Sequence, residues 1–210
     1  HDWDLHTLEQ RLQYARAKRV AVPAAKERGY KYDANVWGQS IRSSQLDDPS
    51  HPVPEEAYVL TKSPTAAPDR PQEVEVEFRA GLPVGLDGQR LAPVELIERL
   101  CEIAGRHAVG RGDLVEDRLV GFKSREIYET PAATTLYAAK RGLEQMTLSR
   151  DSLQVREGLA VAYGRCVYNA QWFSDLREAL DDFFMRMNEH VTGKVTVRLY
   201  KGTATVVARS

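Results

Sequence analysis

Two stretches of the chain alternate apolar and polar residues and predict β-strands. Residues 73–78 alternate valine or phenylalanine with glutamate, and residues 195–199 alternate valine or leucine with threonine or arginine. Because successive side chains of a strand point to opposite faces, each stretch is expected to bury one face and expose the other. An Asp-Gly pair at 87–88 and a Lys-Gly pair at 201–202 predict hairpin turns, and residues 203–207 are expected to return as a second strand.

Apolar residues at helical spacing predict five helices, over residues 1–18, 93–105, 131–143, 151–168 and 175–190. Thr7 and Gln10 form a capping-box pattern at the start of the first helix. Pro93 stands at the first position of the second helix. Thr130 and Pro131 supply a cap and a first residue for the third.

The second and fifth predicted helices each carry an apolar face. In the second helix this face consists of Val94, Ile97, Cys101 and Ala104. In the fifth it consists of Leu176, Leu180, Phe183, Phe184 and Met187. For the fifth helix, spacing alone does not separate an intramolecular core from a contact between subunits.

The order of these elements indicates an α+β fold. Strands in antiparallel pairs with helices between them predict an antiparallel or mixed sheet of hairpin strands, with helices packed mainly on one side. The stretch 23–68 holds six of the ten prolines and shows little periodicity. Residues 23–72 are therefore expected to form a long irregular connection, and loops of that length are usually functional or mobile.

Residues 109–133 combine a high density of charge with a short apolar run at 119–122. The charged residues are more than a buried strand ordinarily tolerates, namely Glu116, Asp117, Arg118, Lys123, Arg125, Glu126 and Glu129. A partly buried segment with both charge signs suits recognition of a small zwitterion. A salt-bridged surface hairpin gives the same pattern, and composition alone favours the hairpin.

Composition and charge narrow the function classes. With 210 residues and a net charge of −1, the chain suits one domain and has no basic surplus for nucleic acid. No apolar run is long enough to span a bilayer, and no signal-peptide pattern opens the sequence. Cys101 and Cys166 are expected to be small buried residues rather than a disulfide, as in a reduced, cytoplasmic protein. His107 lacks partners at ligand spacing, so a satisfied structural role is favoured over a metal site.

The charged stretch resembles the argininosuccinate synthase family. Residues 109–131 match the pattern VGR-x-D-x-VE-[ND]-R-x-x-G-x-KSR-[GE]-[IV]-YE-[TA]-P almost throughout, and residues 33–40 are similar to D-x-N-L-W-G-x-S. Further matching segments occur in family order at 3–5, 46–49, 172–174, 191–195 and 199–202. The resemblance therefore covers nearly the whole chain.

The resemblance implies an ATP-dependent carbon–nitrogen ligase of arginine biosynthesis and the urea cycle. In that family the ureido oxygen of citrulline attacks the α-phosphorus of ATP and releases pyrophosphate. The amine of aspartate then displaces AMP from the citrullyl-adenylate to give argininosuccinate. ATP with Mg²⁺ is held mainly by a nucleotide-binding domain whose Ser-Gly-Gly loop has no match in this chain.

The same resemblance implies a domain division. Residues 1–22 are expected to be the last helix of the nucleotide-binding domain, and residues 23–210 the synthetase and multimerisation domain. By itself this part is expected to be inactive, and the family assembles as a homotetramer. No nucleic-acid or membrane partner is expected.

By position, the resemblance implies that Ser40, Glu116 and Tyr128 contact citrulline. The Glu116 carboxylate suits an ammonium group, and the two hydroxyl groups suit a carboxylate or an amine. No catalytic side chain is expected, because the substrate supplies the nucleophile and catalysis comes mainly from orienting it.

Two residues depart from the family pattern and mark a possible altered substrate contact. Lys31 occupies the position of a family serine that contacts citrulline, and Arg42 stands just after Ser40 where an acidic residue is usual. A buried lysine beside an ammonium group is unfavourable unless an anion pairs with it. Lys31 is therefore expected to point to solvent, to pair with the carboxylate of citrulline, or to mark a different acceptor. The alternatives for the chain are a paralogue that ligates aspartate to another acceptor and a non-catalytic oligomerisation module.

Overall fold

The computed structural model describes residues 5–21 and 29–210. Its helices are α1 (Leu8–Ala17), α2 (Pro93–Arg106), α3 (Pro131–Thr147), α4 (Arg150–Tyr168) and α5 (Asp175–Asn188). Its strands are β1 (Lys31–Asn35), β2 (Gly38–Arg42), β3 (Gln72–Arg79), β4 (Leu82–Leu86), β5 (Gln89–Arg90), β6 (Arg111–Asp117), β7 (Lys123–Glu129), β8 (Gly193–Tyr200) and β9 (Thr203–Arg209). A short 3-10 helix spans Glu55–Ala57.

The strands form two antiparallel sheets. The four-stranded sheet has the order β1-β2-β7-β6, and the five-stranded sheet has the order β5-β4-β3-β8-β9. Helices α2 and α3 pack against each other and against strands of the five-stranded sheet. The predicted α+β class is confirmed, and the strands divide between two sheets rather than one.

The main core lies between the five-stranded sheet and helices α2 and α3. On β3, Val74 and Val76 are directly opposite Val197 and Val195 of β8, and all four are fully buried. Burying a valine side chain is worth roughly 1.5–3 kcal/mol, so this pair of strands carries much of the hydrophobic stabilisation. The predicted alternation of buried and exposed positions is confirmed in both strands.

A smaller core lies against the four-stranded sheet. Its buried members come from β2, from β7, from the residue before β1 and from the irregular segment after β2. They are Tyr30, Ile41, Leu46, Ala57 and Ile127. With so few apolar residues, this sheet depends more heavily on polar contacts than the five-stranded sheet does.

Residues 31–42 form a β-hairpin, so the prediction of an irregular connection over 23–72 is wrong for this part. The turn lies at residues 36–37, and a side chain at Gly38 would meet the carbonyl oxygen of Glu129 at 2.2 Å. The alternation rule misses this hairpin because polar Gln39 is buried, with its Nε2 donating to Glu129 Oε2 at 2.7 Å. Residues 43–71 are irregular apart from the 3-10 helix.

Helix α1 begins with the predicted capping box. The hydroxyl of Thr7 accepts a hydrogen bond from the Gln10 backbone N–H at 3.2 Å, and Gln10 Oε1 accepts from the Thr7 N–H at 2.8 Å. The helix covers Leu8–Ala17 within the predicted span 1–18. Residues 1–4 and 22–28 lie outside the described residues, and the domain division at residue 22 stays a prediction.

The predicted apolar face of α2 is wrong at Val94, which is 55% exposed. The helix instead buries Leu96, Leu100 and Ile103 together with Ile97 and Ala104. Two apolar stripes run side by side on this helix, and packing against α3 and the sheet buries most of both while leaving Val94 exposed.

Helix α3 begins at Pro131 as predicted and continues to Thr147, beyond the predicted end at residue 143. Thr130 precedes it, but its side chain does not cap the helix, so that part of the prediction is wrong. Its hydroxyl instead donates to the carbonyl oxygen of Gly110 at 3.4 Å. The bond ties the start of α3 to the residue that precedes β6.

The apolar face of α5 is only partly buried. Leu180 is buried, whereas Phe183, Phe184 and Met187 are half-buried and Leu176 is exposed. The helix ends at Asn188, two residues before the predicted end. The face thus contributes to the contact with α4 and leaves apolar surface uncovered.

Both cysteines are free thiols, as predicted. Cys166 is buried and Cys101 is half-buried, and burial raises the pKa of the Cys101 thiol. Among the helices of the described ranges, none is long and apolar enough to cross a membrane.

Candidate functional site

The three residues predicted to contact the acceptor lie on one face of the four-stranded sheet. Ser40 of β2 is directly opposite Tyr128 of β7, and Gly112 of β6 is opposite Tyr128 on its other side. Directly opposite residues of antiparallel strands share a face, and so do alternate residues of one strand. Glu116 lies further along β6 on the same side as Gly112. We call the face that carries Ser40, Glu116 and Tyr128 the acceptor face.

Tyr128 and Glu116 are in direct contact. The Tyr128 hydroxyl donates a hydrogen bond to Glu116 Oε1 at 2.6 Å. Burial raises the pKa of Tyr128 to about 12, and the hydrogen bond and negative charge of Glu116 act in the same direction. The tyrosine is therefore protonated at neutral pH with its proton directed at Glu116, and its oxygen remains able to accept from a ligand.

Ser40 completes the acceptor face from the β2 side. Its side chain is half-buried, and none of the described residues forms a hydrogen bond with its hydroxyl group. A serine hydroxyl both donates and accepts, so it can bind either charged group of an amino acid. The face therefore offers a carboxylate, a phenol oxygen and a free hydroxyl.

Glu126 is a further member of this face that the sequence reasoning treats only as part of a charged run. It lies two residues before Tyr128 on β7 and is only 2% exposed. Its carboxylate accepts hydrogen bonds from Arg118 Nη2 and from Ser124 Oγ, the latter at 3.1 Å. Its second oxygen is 3.6 Å from Arg42 Nε. The sequence does contain a signal for Glu126. Residues 124, 126 and 128 alternate along the strand, which places three polar side chains on one side of β7.

Lys31 and Arg42 face each other across β1 and β2, on the same side of the sheet as Ser40. The Arg42 guanidinium forms ion pairs with Asp33 and with Glu126, so two carboxylates already balance its charge. Lys31 is exposed and forms no ion pair with any residue in the described ranges. Of the two departures, Lys31 is the one with a cation free for a ligand.

The opposite face of this sheet is held by Glu129, which is fully buried. Its carboxylate accepts hydrogen bonds from the backbone N–H groups of Val59, Leu60 and Thr61 at 2.8–3.0 Å. It also accepts from the Thr61 hydroxyl at 2.6 Å and from Gln39 Nε2 at 2.7 Å. Glu129 therefore fixes the irregular segment at 59–61 to the strands that carry Ser40 and Tyr128.

The charged stretch itself is a hairpin of β6 and β7. Arg125 pairs with Asp113 at 2.6 Å and Lys123 with Asp117 at 2.7 Å. Both ion pairs join β7 to β6 across the hairpin, rather than joining neighbours in sequence. The apolar run 119–122 forms the exposed tip rather than a buried segment. The stretch is therefore a salt-bridged hairpin, one side of which carries Glu116, Glu126 and Tyr128.

No group of three or more metal-ligating side chains occurs among the described residues. His107 is buried, with Nε2 at 3.3 Å from Gln72 Oε1, while Nδ1 has no hydrogen-bond partner. The satisfied role predicted for His107 is therefore only half correct. Burial and the nearby Arg106 lower its pKa, which keeps the ring neutral.

A cavity of about 700 Å³ lies between α3, α4 and α5, away from the acceptor face. Its lining includes Tyr137, Lys140, Arg156 and Met185, and none of the three predicted contact residues. The acceptor face is an open sheet surface, so a ligand bound there needs a second surface to enclose it.

Comparison with known proteins tests the family resemblance. Residues 30–210 match the family model described as Arginosuccinate synthase C-terminal domain. The chain is 46% identical over 209 residues to an argininosuccinate synthase of Rubrobacter xylanophilus, covering 100% of this chain and 51% of that protein. It is 47% identical over 203 residues to that of Methanopyrus kandleri, covering 97% of this chain and 51% of the relative.

A plant relative gives the same result. The chloroplastic argininosuccinate synthase of Arabidopsis thaliana is 42% identical over 208 residues, covering 99% of this chain and 42% of that protein. The chain thus spans about half the length of the curated relatives it matches. The resemblance drawn from the motifs is confirmed.

Proposed function

Because this chain belongs to the argininosuccinate synthase family, we propose that the intact protein joins citrulline to aspartate with ATP. The reaction would pass through a citrullyl-adenylate and release pyrophosphate and then AMP. In this proposal the chain contributes the surface that binds the amino-acid end of citrulline, and does not turn over alone.

The observation that carries the proposal is the convergence of Ser40, Glu116 and Tyr128 on one sheet face. They come from three strands, and Ser40 lies far from the other two in sequence, yet Ser40 is directly opposite Tyr128 and Tyr128 contacts Glu116 at 2.6 Å. The Glu116 carboxylate is a charged hydrogen-bond acceptor on a half-buried face. It suits an ammonium group, since hydrogen bonds between charged groups are the stronger ones.

The role of this face would be orientation. Neither Glu116 nor Tyr128 needs to act as a nucleophile, because the ureido oxygen of citrulline attacks the α-phosphorus. Binding the amino-acid end at fixed positions would hold the weakly nucleophilic oxygen in line with the phosphorus, and such positioning supplies much of the rate in reactions of this kind.

ATP and Mg²⁺ are proposed to bind mainly elsewhere in the intact protein. Helices α2 to α5 begin at Pro93, Pro131, Arg150 and Asp175, and none of these starts follows a glycine-rich loop of the type that holds phosphates. The helix starts of the described residues thus support a nucleotide site that lies mainly outside them.

The test is pyrophosphate release by the intact protein with Mg·ATP, aspartate and citrulline, against the same mixture without citrulline. We expect release that depends on citrulline, with argininosuccinate as the product. If a folded protein that binds ATP releases no pyrophosphate with citrulline, the proposed acceptor is incorrect.

A second candidate, ligation of aspartate to a different acceptor, rests on Lys31. Lys31 is exposed, lies opposite Arg42 on the same side of the sheet as Ser40, and has no ion pair in the described part of the chain. An acceptor with an additional anionic group would find a partner there, whereas Arg42 is already paired with Asp33 and Glu126. If a Lys31→Ser variant bound the acceptor with unchanged affinity, Lys31 would contact neither citrulline nor a different acceptor.

We also propose that the intact protein is a homo-oligomer. Exposed apolar side chains on α4, on α5 and in the connection between them, namely Val161, Met185 and Phe173, support a surface that is covered in the assembly. Light scattering of the intact protein would measure its mass, and a monomer at micromolar concentration would contradict this.

A further inference from the structure

We propose that the cavity between α3, α4 and α5 is a second binding site, which takes a small organic molecule with one carboxylate and an aromatic body. The cavity has a volume of about 700 Å³, within the range of sites that hold small organic ligands. Its lining includes none of the residues that define the acceptor face. Binding there therefore does not depend on the acceptor or on the reaction proposed above.

Lys140 of α3 supplies a cation on the cavity wall. Its side chain is only 22% exposed, and none of the described residues accepts a hydrogen bond from its ammonium group. Among those residues, the one carboxylate within ion-pair distance belongs to Glu144, a turn further along α3, at 4.0 Å. An ammonium group removed from water is unfavourable unless an anion pairs with it. Burial lowers the pKa of Lys140, and a bound anion would oppose that shift.

Glu144 is already engaged with another cation. Its side chain is only 4% exposed, and its Oε1 lies 2.8 Å from Nη2 of Arg156 on α4. Lys140 and Arg156 thus share one carboxylate, and the charge of Arg156 contributes to the lowered pKa of Lys140. Asp181, a carboxylate of the cavity lining, is paired with Arg177. The groups around Lys140 therefore carry one positive charge in excess, which matches a carboxylate better than a phosphate dianion.

Arg156 offers a second donor to the same ligand. Its contact with a carboxylate in the described part of the chain is through Nη2, which leaves Nη1 for a ligand. The guanidinium carbon lies 5.5 Å from the centre of the Phe184 ring, so the group is held against α5. A carboxylate has two oxygens, and one can accept from Lys140 while the other accepts from Arg156.

Aromatic side chains supply the contacts for the body of the ligand. Tyr163 of α4 and Phe184 of α5 meet edge to face, with ring centres 5.7 Å apart, and both line the cavity. Tyr137 of α3 adds a third ring and is 73% exposed. A ligand that covers these rings removes apolar surface from water, and aromatic pairs add to that gain. An aromatic carboxylate therefore matches both the charge and the lining of the cavity.

The test measures the binding of phenylpropionate and of its neutral amide to the intact protein by isothermal titration calorimetry. The two probes share one body and differ in charge. We expect the acid to bind roughly tenfold more tightly than the amide, the gain typical of a hydrogen bond between charged groups. Lys140→Met should remove this preference and leave the affinity for the amide unchanged.

The matched control is Lys194→Met on the five-stranded sheet, where the lysine pairs with Glu75 at 2.7 Å. This variant should keep the preference for the acid. A second variant, Ala160→Trp, places an indole at an exposed position of the cavity lining. It should abolish binding of both probes, because the new ring occupies their space.

Three results would overturn the inference. In the first, the wild-type protein binds the acid and the amide equally well. In the second, Lys140→Met keeps the preference for the acid. In the third, neither probe binds, and a change in the mass of the Lys140→Met assembly by light scattering would then identify a second copy of the chain as the occupant of the cavity.

Discussion

The two sheets of this molecule are stabilised by different means. In the five-stranded sheet, buried valines of β3 and β8 oppose each other, and charged residues remain on the outer face. In the four-stranded sheet, buried positions are occupied by Gln39, Arg125, Glu126 and Glu129, each with polar partners. The first sheet is built as an apolar scaffold, and the second is the proposed binding surface. The surface proposed to bind a ligand is thus also the one held together by buried charged residues.

Glu129→Ala should cause the largest loss of stability. Five hydrogen-bond donors converge on this buried carboxylate, and they would be left without an acceptor. We expect the free energy of unfolding to fall by about 4 kcal/mol. Hydrogen exchange should locate the change at residues 59–61 and at β2 and β7. A loss below about 1 kcal/mol would contradict the view that polar contacts hold this sheet.

Leu199→Ala tests the other sheet. Leu199 is fully buried in the main core, and its truncation leaves a cavity among apolar neighbours. A loss of about 3 kcal/mol is expected, measured by urea denaturation. Exchange should increase in β3 and β8 and leave residues 59–61 unaffected. If both variants increase hydrogen exchange in the same segments, the two sheets unfold as one unit. The two sheets would then not be stabilised separately.

Asp113→Asn should give a smaller loss that depends on pH. The hydrogen bonds from Arg125 hold the pKa of Asp113 below its usual 3.8 in the folded protein. Its contribution is therefore present at neutral pH, begins to disappear as the pH falls to the unfolded value, and is gone below the folded one.

At pH 7 we expect Asp113→Asn to reduce the free energy of unfolding by about 1 kcal/mol. Urea denaturation of the wild type and the variant between pH 7 and about pH 2.5 should show that the difference in their free energies of unfolding shrinks as the pH falls. A difference that grows toward acid would mean that Arg125 is not the cause.

Lys123→Gln should have the smallest effect. Its ion pair with Asp117 joins two exposed side chains at the outer end of the hairpin. Exposed pairs contribute about 0.5 kcal/mol or less, and salt screens them further. If the free energy of unfolding fell by more than about 1 kcal/mol in 0.15 M salt, Lys123 would have a contact beyond its exposed ion pair with Asp117.

Strands β3 and β8 of the five-stranded sheet could be predicted from the sequence because their burial follows local alternation. The hairpin β1–β2 could not be predicted in this way. Its polar Gln39 is buried because its side chain donates a hydrogen bond to Glu129, which lies 90 positions away. Similarly, Arg125 pairs with Asp113 across the hairpin rather than with its neighbours in sequence. Pairings across a sheet depend on register, which a pattern of charges does not specify.

The candidate site was predicted in part. The family resemblance indicated Ser40, Glu116 and Tyr128, and the register of β2, β6 and β7 explains why they share a face. Glu126 was missed because a glutamate within a charged run is usually solvated. Only the fold brings that glutamate into a buried position beside the site.

The central claim, that the acceptor face binds the amino-acid end of citrulline, is tested most directly by comparing Glu116→Gln with Glu73→Gln in the intact protein. Glu73 is an exposed glutamate on the five-stranded sheet, paired with Arg198, and serves as the matched control. We predict that kcat/KM for citrulline-dependent pyrophosphate release falls at least about tenfold in Glu116→Gln, mainly through KM, and is unchanged in Glu73→Gln. Equal activity in the two variants would contradict the account.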